Sequence, residues 1–82
     1  MDYTTLTSIT EAKLKECAEQ AASAVQEVEF KMFLDMGHGI WQLWLALAGE
    51  VDREPAKHDM DRLYKLIEPE AVSGLRSTRA KN

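Results

Sequence analysis

The run at residues 40–48 restricts the possible folds more than any other feature of the sequence. Only Gln42 is polar among its nine residues. A helix that is apolar on all sides has to be surrounded by other structure. Nine residues are also far fewer than the roughly 20 that a membrane-spanning helix needs. We therefore expect a globular domain without a membrane span, with this run packed inside it.

The chain is short for such an apolar helix. Its 82 residues fit one domain, and a domain of this size buries only about 60 % of the surface that its unfolded chain exposes. Of the other helices predicted below, the first contributes mainly alanines and the third contributes a single apolar stripe. These residues are too few to cover every side of residues 40–48. We therefore expect a homodimer, or another protein partner, to cover the remainder.

The spacing of apolar residues predicts an all-α fold, because intervals of three and four recur and no segment alternates as a strand does. Ser8 and Glu11 have the spacing of a capping box, which predicts that the first helix begins near Ile9, after a flexible tail at residues 1–7. This helix is predicted to continue to about Asp35. Its buried seam is predicted to consist of Leu14, Ala18, Ala21, Val25, Val28 and Met32.

The segment Gly37-His38-Gly39 predicts a break in the helix, because two glycines around one residue supply the positive φ of a helix end and a tight turn. The alternative is one continuous, kinked helix, since apolar residues keep their spacing of three and four straight through the glycines to Val51. The sequence leaves both possibilities open.

The rest of the chain completes a small bundle of three main helices and a short C-terminal one. Helices are predicted at residues 40–51 and 56–67. The short helix is predicted at residues 70–75, after Pro69, which fits the first position of a helix. A flexible tail is predicted from residue 76.

The aromatic residues around the glycines are the strongest indication of function. Trp, Phe and Met are enriched at the centres of protein interfaces, and we expect Trp41 to be an interface anchor and Trp44 a core residue. The simpler alternative is that all of these side chains form the core. The predicted partner-binding surface, with its acidic rim, comprises Phe30, Phe33, Met36, His38, Trp41, Trp44, Glu50 and Glu54.

We interpret this pattern as a non-catalytic regulator or inhibitor that binds another protein. Small acidic helical proteins of this kind occur among bacterial and phage regulators, an analogy of size and charge alone. The single cysteine and the lack of a signal-peptide pattern lead us to expect a cytoplasmic protein.

Enzymatic and metal-binding functions find little support in the residue spacing, and we expect no cofactor. The candidate ligands match neither the paired spacing of zinc sites nor the repeated Glu-x-x-His of di-iron bundles. A small metal-binding or enzymatic bundle remains an alternative. Its candidate residues are Cys17, Asp35, His38, His58, Asp59 and Asp61.

Nucleic-acid binding is a further alternative, which the charge distribution disfavours. The chain up to Leu75 carries seven basic and 14 acidic residues, a balance of −7 that repels phosphate. A DNA-binding regulator would have to use the basic tail, which consists of Arg76, Arg79 and Lys81.

Overall fold

The fold is all-α, as predicted. A computed structural model describes the backbone of residues 1–80 and the side chains of residues 1–76. This part of the chain contains no strand, and none of its helices is long and apolar enough to cross a membrane. Its helices are α1 (Tyr3–Ser23), α2 (Glu27–Val51), α3 (Arg53–Tyr64) and α4 (Pro69–Ala80).

Helix α1 begins six residues before the predicted start near Ile9, so the capping box at Ser8 and Glu11 is wrong. Asp2 is the N-cap residue, and its carboxylate accepts a hydrogen bond of 2.8 Å from the backbone N–H of Thr5. Residues 3–7 are helical rather than a tail. Thr7 is buried in the bundle, which shows that packing outweighs the preference of threonine for extended structure.

The predicted long helix to Asp35 is also wrong, because the chain reverses at residues 24–26. Ala24 and Gln26 have extended backbone conformations, and the N–H of Ala24 bonds to the carbonyl of Ala21. The reversal brings Phe30 and Leu34 of α2 back onto the alanines of α1. Small side chains leave a shallow surface on which a phenyl ring can pack, and this long-range contact explains a turn that contains neither Gly nor Pro.

The predicted break at Gly37 and Gly39 does not exist, and the continuous helix is the correct alternative. Neither glycine has a positive φ, and α2 runs through both of them. Gly37 serves close packing instead. A Cβ atom added there would lie 2.8 Å from Cγ2 of Ile67 and 3.4 Å from Cβ of Cys17, so only glycine fits where α1 and the α3–α4 link meet α2.

The later helix boundaries are partly as predicted. Helix α2 ends at Val51 and α4 begins at Pro69, both as expected. Helix α3 is displaced by three residues towards the N-terminus from the predicted range of 56–67, with Pro55 in its first turn. Helix α4 continues to Ala80, past the predicted end at residue 75, so the tail predicted from residue 76 is wrong for residues 76–80.

Two clusters of buried residues form the core. One surrounds Trp44 and Leu14 and is closed by α3. The other surrounds Phe30 and is closed by Val72 of α4. Helix α1 packs against α2 and α4, and α2 also packs against α3. The molecule is elongated, with extents of 41 × 18 × 17 Å. One long face of α2 contributes residues to both core clusters, and its opposite face remains uncovered.

Candidate functional site

The uncovered face of α2 carries a continuous row of apolar side chains. All six are exposed, from 47 % at Leu47 to 69 % at Val28. At 3.6 residues per turn they lie on one side of the helix, and the buried side is centred on Phe30, Leu34 and Ala48. We call this row the outer stripe, and it consists of Val28, Met32, Met36, Leu43, Leu47 and Val51.

Exposed charged residues border the outer stripe along one edge and at both ends. Helical spacing places Lys31 and Asp35 beyond the edge that Val28 forms, whereas Glu29 and Glu50 lie at the two ends, in line with Leu47 and Met32 respectively. An apolar strip with a charged rim is the usual anatomy of a protein interface. Gly39 lies on the stripe between Met36 and Leu43, and a Cβ atom added there would meet nothing within 4 Å, so the middle of the stripe is open.

The structure does not bring the predicted partner-binding residues together on one surface. Trp44 is buried at 1 % exposure, as expected for a core residue, and Phe30 is buried in the other cluster. Phe33 is half-buried against that second cluster. These side chains fill the interior because α2 turns its aromatic side towards α1. For them the simpler alternative, that the aromatic residues form the core, is correct.

Trp41 is half-buried on the side of α2 that meets α3. Its indole Nε1 donates a hydrogen bond of 3.0 Å to the carbonyl oxygen of Met60. Its ring packs edge-on to Tyr64 at a centroid distance of 5.2 Å. The His38 ring is tilted against Trp41 at 5.8 Å and edge-on to Tyr64 at 6.2 Å. Trp41 and His38 therefore help to hold α3 on α2.

The other predicted surface residues are exposed but separate. Met36 belongs to the outer stripe. Glu50 lies at its rim, whereas Glu54 belongs to α3, where its carboxylate lies 3.9 Å from the Lys57 ammonium. The sequence analysis missed most of the stripe because it assigned Val28 and Met32 to the buried seam. The sequence does place Leu43 and Leu47 on a different face from Trp41 and Trp44, which indicates that one of these faces meets another chain, but the predicted site was assigned to the tryptophan face.

A polar network joins α1 to α3 on another side of the bundle. The Tyr3 hydroxyl donates a hydrogen bond of 2.5 Å to Asp59, and Arg62 donates to Asp59 and to Glu11 at 3.1 and 2.8 Å. The bond from Tyr3 is the main cause that lowers the pKa of Asp59, and the bond from Arg62 is the main cause that lowers the pKa of Glu11.

These lowered pKa values argue against acid–base chemistry in this network. A carboxyl group that acts as a general acid needs a raised pKa, whereas both groups are held in the charged form. Burial, with Glu16 nearby, raises the pKa of the Cys17 thiol and so keeps it protonated. Among the described residues, no three His, Cys, Asp or Glu side chains come close enough to hold a metal ion.

The basic residues proposed for nucleic-acid binding lie at the end of the chain. Arg76 donates hydrogen bonds to the Glu27 carboxylate at 2.8 Å and to the Val25 carbonyl at 3.3 Å, and its guanidinium carbon lies 4.9 Å from the centroid of the Phe30 ring. Arg76 therefore fastens α4 to the α1–α2 turn. The Arg79 side chain and Lys81 lie outside the described residues.

Comparison of the chain with protein-family models, with curated proteins and with solved structures finds no match.

Proposed function

We propose that this chain is a non-catalytic regulator or inhibitor that binds another protein through the outer stripe of α2. The observation that carries the proposal is the continuity of the stripe. Its six exposed apolar side chains follow one face of a helix from Val28 to Val51, over roughly 35 Å at 1.5 Å per residue.

The area of the stripe supports a binding role. Fully exposed Val, Leu and Met residues each present about 150–200 Å², so at their observed exposures the six side chains present roughly 600 Å². The largest apolar patch on a typical monomeric protein is about 300–600 Å² and is often functional. The outer stripe lies at the upper end of this range although the chain has only 82 residues.

The charge of the protein bears on the kind of target. The net charge is −4, and Glu29, Asp35 and Glu50 are exposed beside the stripe. A target with a basic rim around an apolar groove would be attracted at long range and then held by the stripe. The proposal includes action in the cytoplasm, a compartment in which proteins ordinarily lack disulfides.

The proposal can be tested by affinity capture from a lysate of the source organism, followed by mass spectrometry. We compare the wild-type chain with the double variant Leu43→Glu/Leu47→Glu, which places two charges in the stripe. The matched control is Ile9→Glu. Ile9 is 50 % exposed and lies two residues beyond Thr7, which contacts α2, so its side chain points away from α2.

We expect the wild-type chain and Ile9→Glu to retain the same protein, and the double variant to lose it. Circular dichroism of all three proteins should show equal helix content, because the three substituted positions are exposed. Retention of the same protein by a folded double variant would show that the stripe is not the docking surface.

A further inference from the structure

The outer stripe is symmetric about one point of α2. Its residues form three pairs at equal distances from the midpoint between Gly39 and Ile40: Val28 with Val51, Met32 with Leu47, and Met36 with Leu43. A half-turn of the helix about an axis through this midpoint superposes the stripe on itself. Each position then meets an apolar residue of similar size.

We infer that the outer stripe binds a second copy of this chain, with the two α2 helices antiparallel across a two-fold axis between Gly39 and Ile40. This inference rests on the proposed function, since it concerns the same surface: the second copy covers the stripe in the free protein, and a target that binds the stripe displaces that copy. An interface with two-fold symmetry has to be complementary to itself. The pairing of positions in the stripe meets this condition over its whole length.

The centre of the stripe suits a helix crossing. Helix axes in contact are usually 8–10 Å apart, depending on the side chains where they cross. Gly39 has no side chain and faces open space, so it permits an approach at the short end of this range. The larger side chains of Met36 and Leu43 then pack on either side of the crossing.

The area of the stripe is sufficient for a small specific interface. A biological interface buries at least about 1,000 Å² in total over both partners. The stripe supplies at most roughly 600 Å² per copy, or about 1,200 Å² for the dimer.

The charged residues near the ends of the stripe oppose the pairing in part. Glu29 and Glu50 both lie 10.5 residues from the midpoint, so each Glu29 lies beside Glu50 of the second copy, and the symmetry creates this contact between like charges twice. Lys31 lies about 3 Å along the helix from Glu50 of the second copy and offsets part of the repulsion.

Disulfide trapping tests the geometry directly. In the inferred dimer the two Gly39 residues adjoin the axis, whereas the two Val28 residues lie roughly 35 Å apart. Under mild oxidation Gly39→Cys should form a covalent dimer, and Val28→Cys should not. The wild-type chain is the control, since its single cysteine, Cys17, is buried. Equal trapping of both variants would indicate a parallel pairing, and trapping of neither would exclude the inferred contact.

Sedimentation analysis tests the energetics. Leu43→Glu should raise the dimer dissociation constant at least tenfold, the usual effect of losing a central interface residue, whereas Ile9→Glu should leave it unchanged. Glu50→Lys should strengthen the dimer, because the new ammonium lies beside Glu29 of the second copy, and the double variant Glu29→Lys/Glu50→Lys should lose that gain. A dimer that Glu50→Lys leaves unchanged or weaker would contradict the antiparallel arrangement.

These results separate the inference from the proposed function. A chain that is monomeric at millimolar concentration but captures a protein through Leu43 and Leu47 overturns the inference and leaves the binding function intact. A dimer trapped through Gly39→Cys that captures no other protein supports the inference and removes the role as a regulator or inhibitor of a separate target.

Discussion

The indole Nε1 of Trp44 donates a hydrogen bond of 3.0 Å to the hydroxyl oxygen of Thr7 inside the core. Both residues are buried, and the bond ties the middle of α2 to the early part of α1. It satisfies the one polar group of the largest fully buried side chain. Thr7 therefore belongs to the fold rather than to a tail, and its hydroxyl has a structural role.

Replacement of Thr7 by Val should destabilise the protein by about 1–3 kcal/mol, because it keeps the shape of the side chain but leaves the Trp44 N–H without an acceptor. Urea denaturation gives the free energy of unfolding. Thr4→Val is the matched control, since Thr4 is exposed in the same helix. Equal stabilities of the two variants would mean that the hydrogen bond contributes nothing measurable.

Replacement of Gly37 by Ala should lower the stability by about 1–3 kcal/mol, even though alanine is the better helix former. The new methyl group would lie 2.8 Å from Cγ2 of Ile67, a branched side chain that is itself buried, and overpacking of this kind has that cost. Gly49→Ala is the control, because a Cβ atom there meets nothing within 4 Å. The control should gain up to about 1 kcal/mol. A more stable Gly37→Ala protein would show that the contact relaxes freely.

Replacement of Arg76 by Lys should loosen α4 although the charge is kept. A lysine ammonium cannot bond to Glu27 and the Val25 carbonyl while also stacking on Phe30, as the planar guanidinium does. We expect a loss of about 0.5–1.5 kcal/mol, with faster amide hydrogen exchange in α4 than in α1. Lys65→Arg, at another exposed position, should change neither quantity. Unchanged exchange in Arg76→Lys would show that α4 is held by Val72 alone.

The stability of the protein should fall as the pH falls below about 4. The pKa values of Asp59 and Glu11 are lowered in the folded protein, chiefly by hydrogen bonds from Tyr3 and Arg62 respectively. Stabilisation from a lowered carboxyl pKa is present above the pKa of the unfolded chain and is lost as the pH falls through the folded value. Thermal melts between pH 7 and pH 2 measure this loss.

Replacement of Tyr3 by Phe isolates the part that Asp59 contributes to this pH dependence. The variant lacks the hydroxyl that donates to Asp59, so the pKa of Asp59 should rise towards its usual value. The variant should be less stable than the wild-type chain at pH 7 by about 1.5–3 kcal/mol, and the difference should shrink at pH 2. Tyr64→Phe is the control. A difference that stays constant with pH would show that the carboxylate is not involved.

The sequence determined the features that depend on near neighbours in the chain. Intervals of three and four between apolar residues determine the all-α class, because such residues share one face in a helix but would not share one face in a strand. The ion pair between Glu11 and Lys15, at 3.2 Å, follows from their spacing, and so does the start of α4 at Pro69.

Only the tertiary structure decided where α1 ends, why Gly37 is a glycine and which face of α2 is covered. Each depends on residues far apart in the chain, such as Phe30 with Val72 and Gly37 with Ile67. Helix propensities differ by about 1 kcal/mol or less for residues other than proline, whereas burial of one large side chain contributes about 1.5–3 kcal/mol. Packing therefore overrides the local signals at Gly37 and Gly39, and it leaves Leu43 and Leu47 outside because Trp44 occupies the single face that α1 can cover.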